Sequence, residues 1–331
     1  MNLQRHRYAF AAAALCGALA VPQAWAQTTL QLINEYPATS ITAAADLQFA
    51  EAVRQASKGA IVIETLQEKR NPYKGDAQVS AVLDGKAQMG TLFGGVLGNK
   101  DSLFLLSSLP FAAKDFKQAH ALYACARPAL EQRLQALGAR LLYVTPWPPS
   151  GIWSVKPLHS EADVTALKIR TYDATSKSVF ERVGAQSVQM PYSALAARLA
   201  AGEVNAVLTS GDGGAGRSLW NQLPNFTAVS YSIPLSYTII NNDAWNRLGK
   251  PQQAILAEAA KKVSAASWAG VEQRIQANYT RMRDNKMTLD TSPSDSIMAA
   301  LKRAGAEETR AWLKANKLSD KDAACLSAGG A

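Results

Sequence analysis

Arg170 is the residue of this chain best suited to chemistry with a small anion. It ends the run Leu167-Lys168-Ile169-Arg170 and is followed by Thr171-Tyr172-Asp173, an order that puts a guanidinium at the end of a short strand. A guanidinium is planar, permanently charged and offers paired donors that match the two oxygens of a carboxylate, so in a cleft it holds an organic acid in one orientation. The plainer reading is a surface arginine paired with Asp173. From Leu167 to Thr209 the pattern is strand, helix, strand, helix, strand, passing through Met190-Pro191-Tyr192.

Other chemistries find little support. His120 and His159 are the histidines beyond the leader segment, neither beside a nucleophile motif, and a lone histidine is more often structural. No Cys or His pair has metal-ligand spacing. Gly211-Asp212-Gly213-Gly214-Ala215-Gly216 resembles a phosphate cradle, but no Lys-Ser/Thr follows, and the expectation is a flexible loop near the cleft. No cofactor is expected.

The first residues give an address. Arg5, His6 and Arg7 precede an apolar run from Tyr8 to Val21 that is short for a membrane span, and Ala24-Trp25-Ala26 is a small-x-small cleavage site. Residues 1–26 are therefore expected to be a signal peptide, cut after Ala26, with the mature chain in the periplasm. An uncleaved anchor is disfavoured by the short core and by Pro22. The chain has 35 Lys+Arg against 26 Asp+Glu, a formal charge of +9, and the leader carries two of those arginines and no acid. No basic run is interleaved with aromatics, so the charge reads as a diffuse field favouring anionic solutes rather than nucleic acid. Cys125 and Cys325 remain after cleavage; in an oxidising compartment they form either a disulfide or two buried thiols.

These residues need a scaffold. A mature chain of roughly 305 residues exceeds one comfortable core, so two lobes are expected. Thr29–Asn34, Ala60–Leu66 and Gln88–Phe93 read as strands alternating with helices over Ala44–Ser57 and Ala77–Asp84, a β-α-β-α-β order that implies α/β lobes with mostly parallel sheets and flanking helices. A helix over Phe116–Leu137 and a strand over Arg140–Val144 follow. The Pro/Gly-rich Thr145–Gly151 stretch marks a crossover between lobes, and the chain returns near Leu235-Ser236-Tyr237. The alanine-rich tract from Pro251 to about Met287 predicts one unusually long helix, without the strict heptad of a coiled coil.

The Leu167–Thr209 pattern, the Ser108-Leu109-Pro110-Phe111 turn and the lobe order resemble the TRAP-type (tripartite ATP-independent periplasmic) solute-binding proteins, the DctP-like family. The resemblance implies a two-lobed periplasmic binding protein fold in which a long helix spans both lobes. It implies lobe 1 over 27–148 plus 236–275 and lobe 2 over 149–235 plus 276–331. Arg170 would then clamp a carboxylate, Tyr192 would be the aromatic after Met-Pro, and Thr209 a polar pocket residue. Tyr36, Phe93 and Gly94 would contact ligand from lobe 1, and Ser150, Tyr172 and Ser236 are the further candidate ligand-binding residues. The expected partners are a small organic acid and separate TRAP membrane permease subunits, with the binding protein itself a monomer and not an enzyme.

Departures from the family pattern bear on the ligand. Ser150 stands nearest a second arginine that many members carry in the crossover, Ala194 replaces an acid, and Asn205-Ala206 replaces an Asp-Gly pair. Trp147, Trp153, Tyr172, Tyr192 and Tyr237 are available instead, which favours a monocarboxylate with an aromatic or apolar body. A secreted two-lobed hydrolase or isomerase, or an ABC-type binding protein, are the alternatives.

Overall fold

The computed structural model describes residues 27–316 and 323–326. The expected signal peptide and its cleavage site lie outside the described residues. The first lobe opens with β1 (Thr28–Asn34), α1 (Ile41–Ala56), β2 (Ile61–Gln67), α2 (Asp76–Leu83) and β3 (Met89–Phe93). Alternating apolar residues put Leu30 and Leu32 of β1 in the core, and Ser40 caps α1 by accepting from Ala43 N at 3.2 Å. Next come α3 (Gly94–Leu97), α4 (Phe116–Ala136), capped by Asp115, and β4 (Ala139–Pro146).

The chain then enters the second lobe through β5 (Ser150–Ser154), α5 (Glu161–Thr165), β6 (Lys168–Thr171), α6 (Ala174–Arg182) and β7 (Gln186–Gln189). It continues through α7 (Leu195–Ala200), β8 (Ala206–Ser210), α8 (Gly211–Gly216) and β9 (Asn225–Thr227). Asp173 does not pair with Arg170. It caps α6, accepting from Ser176 N at 2.8 Å.

β10 (Leu235–Asn241) returns to the first lobe, followed by α9 (Asn242–Asn246), α10 (Lys250–Asp284), β11 (Thr288–Asp290) and α11 (Asp295–Asn316). The first sheet has the order β2-β1-β3-β10-β4 and the second β11-β9-β5-β8-β6-β7. Within each, one strand runs against its neighbours: β10 is antiparallel to β3 and β4, and β5 to β8 and β9. These two strands follow the two crossings between lobes.

The crossings run side by side. Trp147 N donates to Pro234 O and Ser150 N to Ser232 O, both at 2.9 Å, and Tyr231 N returns a bond to Ser150 O. Helix α10, with 35 residues and a length of about 50 Å, packs on α1 and β4 of the first lobe and on α8 and β11 of the second. Leu256, Ala259, Ala260 and Val263 join the first lobe's core, and Val271 and Met282 that of the second. The chain's end also ties back. Trp312, Cys325 and Leu326 enter the core around α4, where Cys325 is disulfide-bonded to Cys125 with Cα atoms 5.5 Å apart.

One local expectation is overturned. Gly211–Gly216 is a helix, not a flexible loop: Ser210 caps it by accepting from Gly213 N at 3.1 Å, and the glycines let it sit against Trp153. A Cβ on Gly214 would lie 2.0 Å from the indole. Packing here overrides the low helix propensity of glycine.

Candidate ligand-binding site

A cavity between the two lobes collects the carboxyl ends of several strands, the place where open α/β sheets bind ligands. Tyr36 follows β1, Phe93 ends β3, Trp147 follows β4 and Pro234 precedes β10. From the second lobe come Ser150 at the start of β5, Arg170 and Tyr172 at the end of β6, Tyr192 after β7, Thr209 and Ser210 at the end of β8, and Gly213 of α8. About 350 Å³ of space, adjoining solvent included, lies between these residues.

Arg170 is the charged group in this wall. It is 4 % exposed, held between Val188 of β7 and Val207 of β8, which are its register partners. Its Nε donates to Met190 O at 3.0 Å, Nη1 makes a long contact to Leu208 O at 3.5 Å, and its Cζ lies 5.5 Å from the Tyr192 ring centroid. Among the described residues no carboxylate forms an ion pair with it, and Nη2 makes no hydrogen bond. Burial lowers its pKa from the usual arginine value, yet an arginine stays charged in any protein. A buried, unpaired cation is costly, and an anion in the cavity offsets that cost.

Glu35, adjacent to Tyr36, is also buried, and burial raises its pKa. Its Oε2 accepts from Gly75 N at 3.0 Å rather than pairing with Arg170. The other polar groups are hydroxyls. Tyr172 Oη donates to Ser150 Oγ at 3.2 Å and shares a hydrogen bond with Ser232 Oγ at 2.8 Å, while Tyr192 Oη donates to Gly213 O. Aromatic rings complete the wall: Tyr36 lies 4.8 Å from Trp147 between centroids, and Phe93 meets Tyr172 edge-on at 5.4 Å.

Of the residues singled out from sequence, the cavity brings together Tyr36, Phe93, Ser150, Arg170, Tyr172, Tyr192 and Thr209. Gly94 and Ser236 stand behind the wall. Gly94 is pressed on the carbonyls of Leu235 and Phe104, and Ser236 Oγ accepts from Trp147 Nε1 at 2.9 Å, orienting that indole. Trp153 and Tyr237 are core residues, packed on Phe226 and Phe104. Ser210, Gly213 and Pro234 were not anticipated, because they reach the cavity only through the fold. Arg217, after α8, lies behind the wall, with its Cζ 4.5 Å from the Tyr192 centroid and Nη2 3.3 Å from Glu68 Oε1.

A buried cation, hydroxyls and rings at an interlobe crevice define a receptor for a small organic anion. The model of the DctP family, described as bacterial extracellular solute-binding protein, family 7, matches residues 34–314, and the chain belongs to that family. It is a TRAP-type, DctP-like solute-binding protein with the two-lobed α/β fold of that class. An extracytoplasmic solute receptor of Bordetella pertussis that binds pyroglutamic acid is 27% identical, with a TM-score of 0.86 over 92% of this chain and 100% of that one. A marine metagenome TRAP solute-binding protein specific for pyroglutamate is 25% identical, with a TM-score of 0.85 over 92% and 99%. The galactonate-binding protein of Advenella mimigardefordensis shares the fold, at 16% identity and a TM-score of 0.86 over 92% and 98%. No curated protein matches the sequence. The family and these relatives are solute receptors rather than enzymes.

Proposed function

We propose that this protein captures a small monocarboxylate with a largely apolar body in its interlobe cavity and delivers it to separate membrane subunits of a TRAP-type transporter. The observation that carries the reading is the buried Arg170, whose Nη2 lacks a protein partner among the described residues. One cation balances one carboxylate, and a second ligand charge would remain unpaired at a cost of several kcal/mol, on the order of that for other buried ions. The aromatic wall of Tyr36, Phe93, Trp147 and Tyr172 suits an apolar body.

Pyroglutamate, the ligand named for the two relatives at 25–27% identity, has this chemistry: one carboxylate on a five-membered lactam ring. Its methylenes would lie on Tyr36 and Phe93 while Ser150, Thr209 and Ser210 address its amide. In this reading lobe 1 comprises 27–148 with 236–275 and lobe 2 comprises 149–235 with 276–331. The protein acts in the periplasm as a monomer, after cleavage at Ala26.

Calorimetry and thermal shift with L-pyroglutamate, branched and aromatic 2-oxo and 2-hydroxy acids, succinate, malate and galactonate test the proposal. Ligand at a hundred times its Kd stabilises the fold by about 2.7 kcal/mol. Monocarboxylates are expected to bind most tightly. Tighter binding of dicarboxylates or sugar acids would overturn the ligand class.

A further inference from the structure

The glycine-rich segment contributes more than a cavity wall. Asp212, its one charged residue, is 1 % exposed and does not line the cavity, although its neighbours Ser210 and Gly213 do. Its two oxygens face different parts of the molecule. Oδ2 accepts from Ile41 N at 2.8 Å, the first amide of α1 in the opposite lobe. Oδ1 accepts from Asn278 Nδ2 at 3.0 Å and from Arg274 Nε, both on α10.

The first amides of a helix lack intrahelical partners and sit at the positive end of its dipole, so a carboxylate there is held by charge as well as by hydrogen bonding. Ser40 caps α1 at Ala43 N, leaving Ile41 N for the other lobe. Arg274 extends the link, since its Nη2 donates to Thr39 O, the residue before that cap. Thr39, Ile41, Asp212 and Arg274 thus form a junction of lobe 1, lobe 2 and the spanning helix, next to the ligand wall.

We propose that Asp212 is a positioning residue for ligand capture, a clasp that caps α1 across the cleft and holds the lobes together around the solute without touching it. Opening the cleft breaks the Asp212–Ile41 bond but leaves Asp212 with Asn278 of its own lobe, so the carboxylate stays partnered in both states. Ligand seated against Ser210 and Gly213 fixes α8, which aims Asp212 at α1. The residue therefore sets how long ligand stays rather than which ligand enters. This inference takes the identity of the solute from the function proposed above.

The test uses Asp212→Asn and Arg274→Gln with L-pyroglutamate as probe, measuring association and dissociation by stopped-flow tryptophan fluorescence. Lobe separation is read from spin labels at Gln55→Cys and Lys156→Cys, both exposed and on opposite lobes. Asp212→Asn is expected to release ligand at least about tenfold faster and to associate within about threefold of the parent, since affinity changes in one site fall mainly on dissociation. The affinity ratio of pyroglutamate to succinate stays as in the parent. Arg274→Gln, at a half-exposed position, shifts dissociation in the same direction, and the double variant loses less than the two single losses combined.

Unchanged dissociation together with unchanged label distances would overturn the clasp, and an altered ligand ratio would make Asp212 a ligand contact instead. If Asp212→Asn fails to fold, Arg274→Gln decides by the same readings. If the parent binds none of the acids, the solute assignment has failed and the label distances of the ligand-free proteins decide the clasp. A closed population in the parent that the variants lack supports it, and identical distributions refute it.

Discussion

The Arg217 guanidinium lies over the ring of Tyr192, 4.5 Å from its centroid, and Tyr192 also faces Arg170 at 5.5 Å. The ring is shared by a cation at the base of the site and a cation that reaches lobe 1 through Glu68 and the Glu35 carbonyl. Arg217→Gln removes one cation–π partner and one interlobe contact, and is expected to weaken ligand binding by roughly 1–2 kcal/mol. Calorimetry checks this, and an unchanged Kd would show that Arg217 only braces the surface.

Replacing Arg170 acts on the carboxylate directly. Arg170→Ala is expected to cost about 2–5 kcal/mol of affinity, the range for truncating one member of a buried charged pair. Arg170→Lys recovers little, because a lysine lacks the planar fork. Titration calorimetry on both variants, with circular dichroism to confirm folding, decides it.

That arginine was legible because the chain announces it locally: a short apolar run, a strand-length segment and a following helix signal place residue 170 at a strand's end. Tyr192 and Thr209 carry no such local signal and were placed by the family resemblance alone. Gly94 and Ser236 stand one step behind the wall, since Phe93 ends its strand at the cleft while the next residue starts a helix, and Ser236 Oγ accepts from Trp147. Arg217 had no local signal, because its position depends on a helix of glycines that propensity alone does not favour. The first lobe's strands were read from apolar patterning and the long helix from Pro251 and alanine-rich propensity, but the antiparallel course of β5 and β10 follows from how the chain crosses between lobes, which local pattern does not encode.

Asp46 gives the first lobe a pH response. It is fully buried, and burial raises its carboxyl pKa to about 6, against the opposing pull of hydrogen bonds from Thr91, Asn34 and Tyr143. A folded-state pKa above the unfolded value of 3.8 means that the protonated form favours folding. Its contribution is full below about pH 4 and is lost as pH rises through about 6. Asp46→Asn is therefore expected to be compared least favourably with the parent in acid, with the gap in Tm narrowing between pH 4 and 7. Differential scanning fluorimetry across that range checks it; a constant gap would mean that Asp46 does not titrate there.

The Cys125–Cys325 bond closes a loop with a sequence separation of 200 residues, for which chain entropy predicts about 5 kcal/mol of stabilisation. Mass spectrometry of unreduced, alkylated protein from the periplasm is expected to show no alkylated thiol at either position. Reduction should lower the Tm without removing the fold. Two alkylated cysteines would refute the bond.

The place of β10 in the first sheet governs how the protein is made. Residues 235–241 lie between β3 and β4, so the lobe begun by the first 146 residues lacks an inner strand until much of the second lobe has followed. During synthesis and passage across the membrane, β3 and β4 present unpaired edges of the kind that recruit other strands. A chain truncated before residue 235 would leave both edges open, making it a candidate for aggregation rather than an independently folding domain.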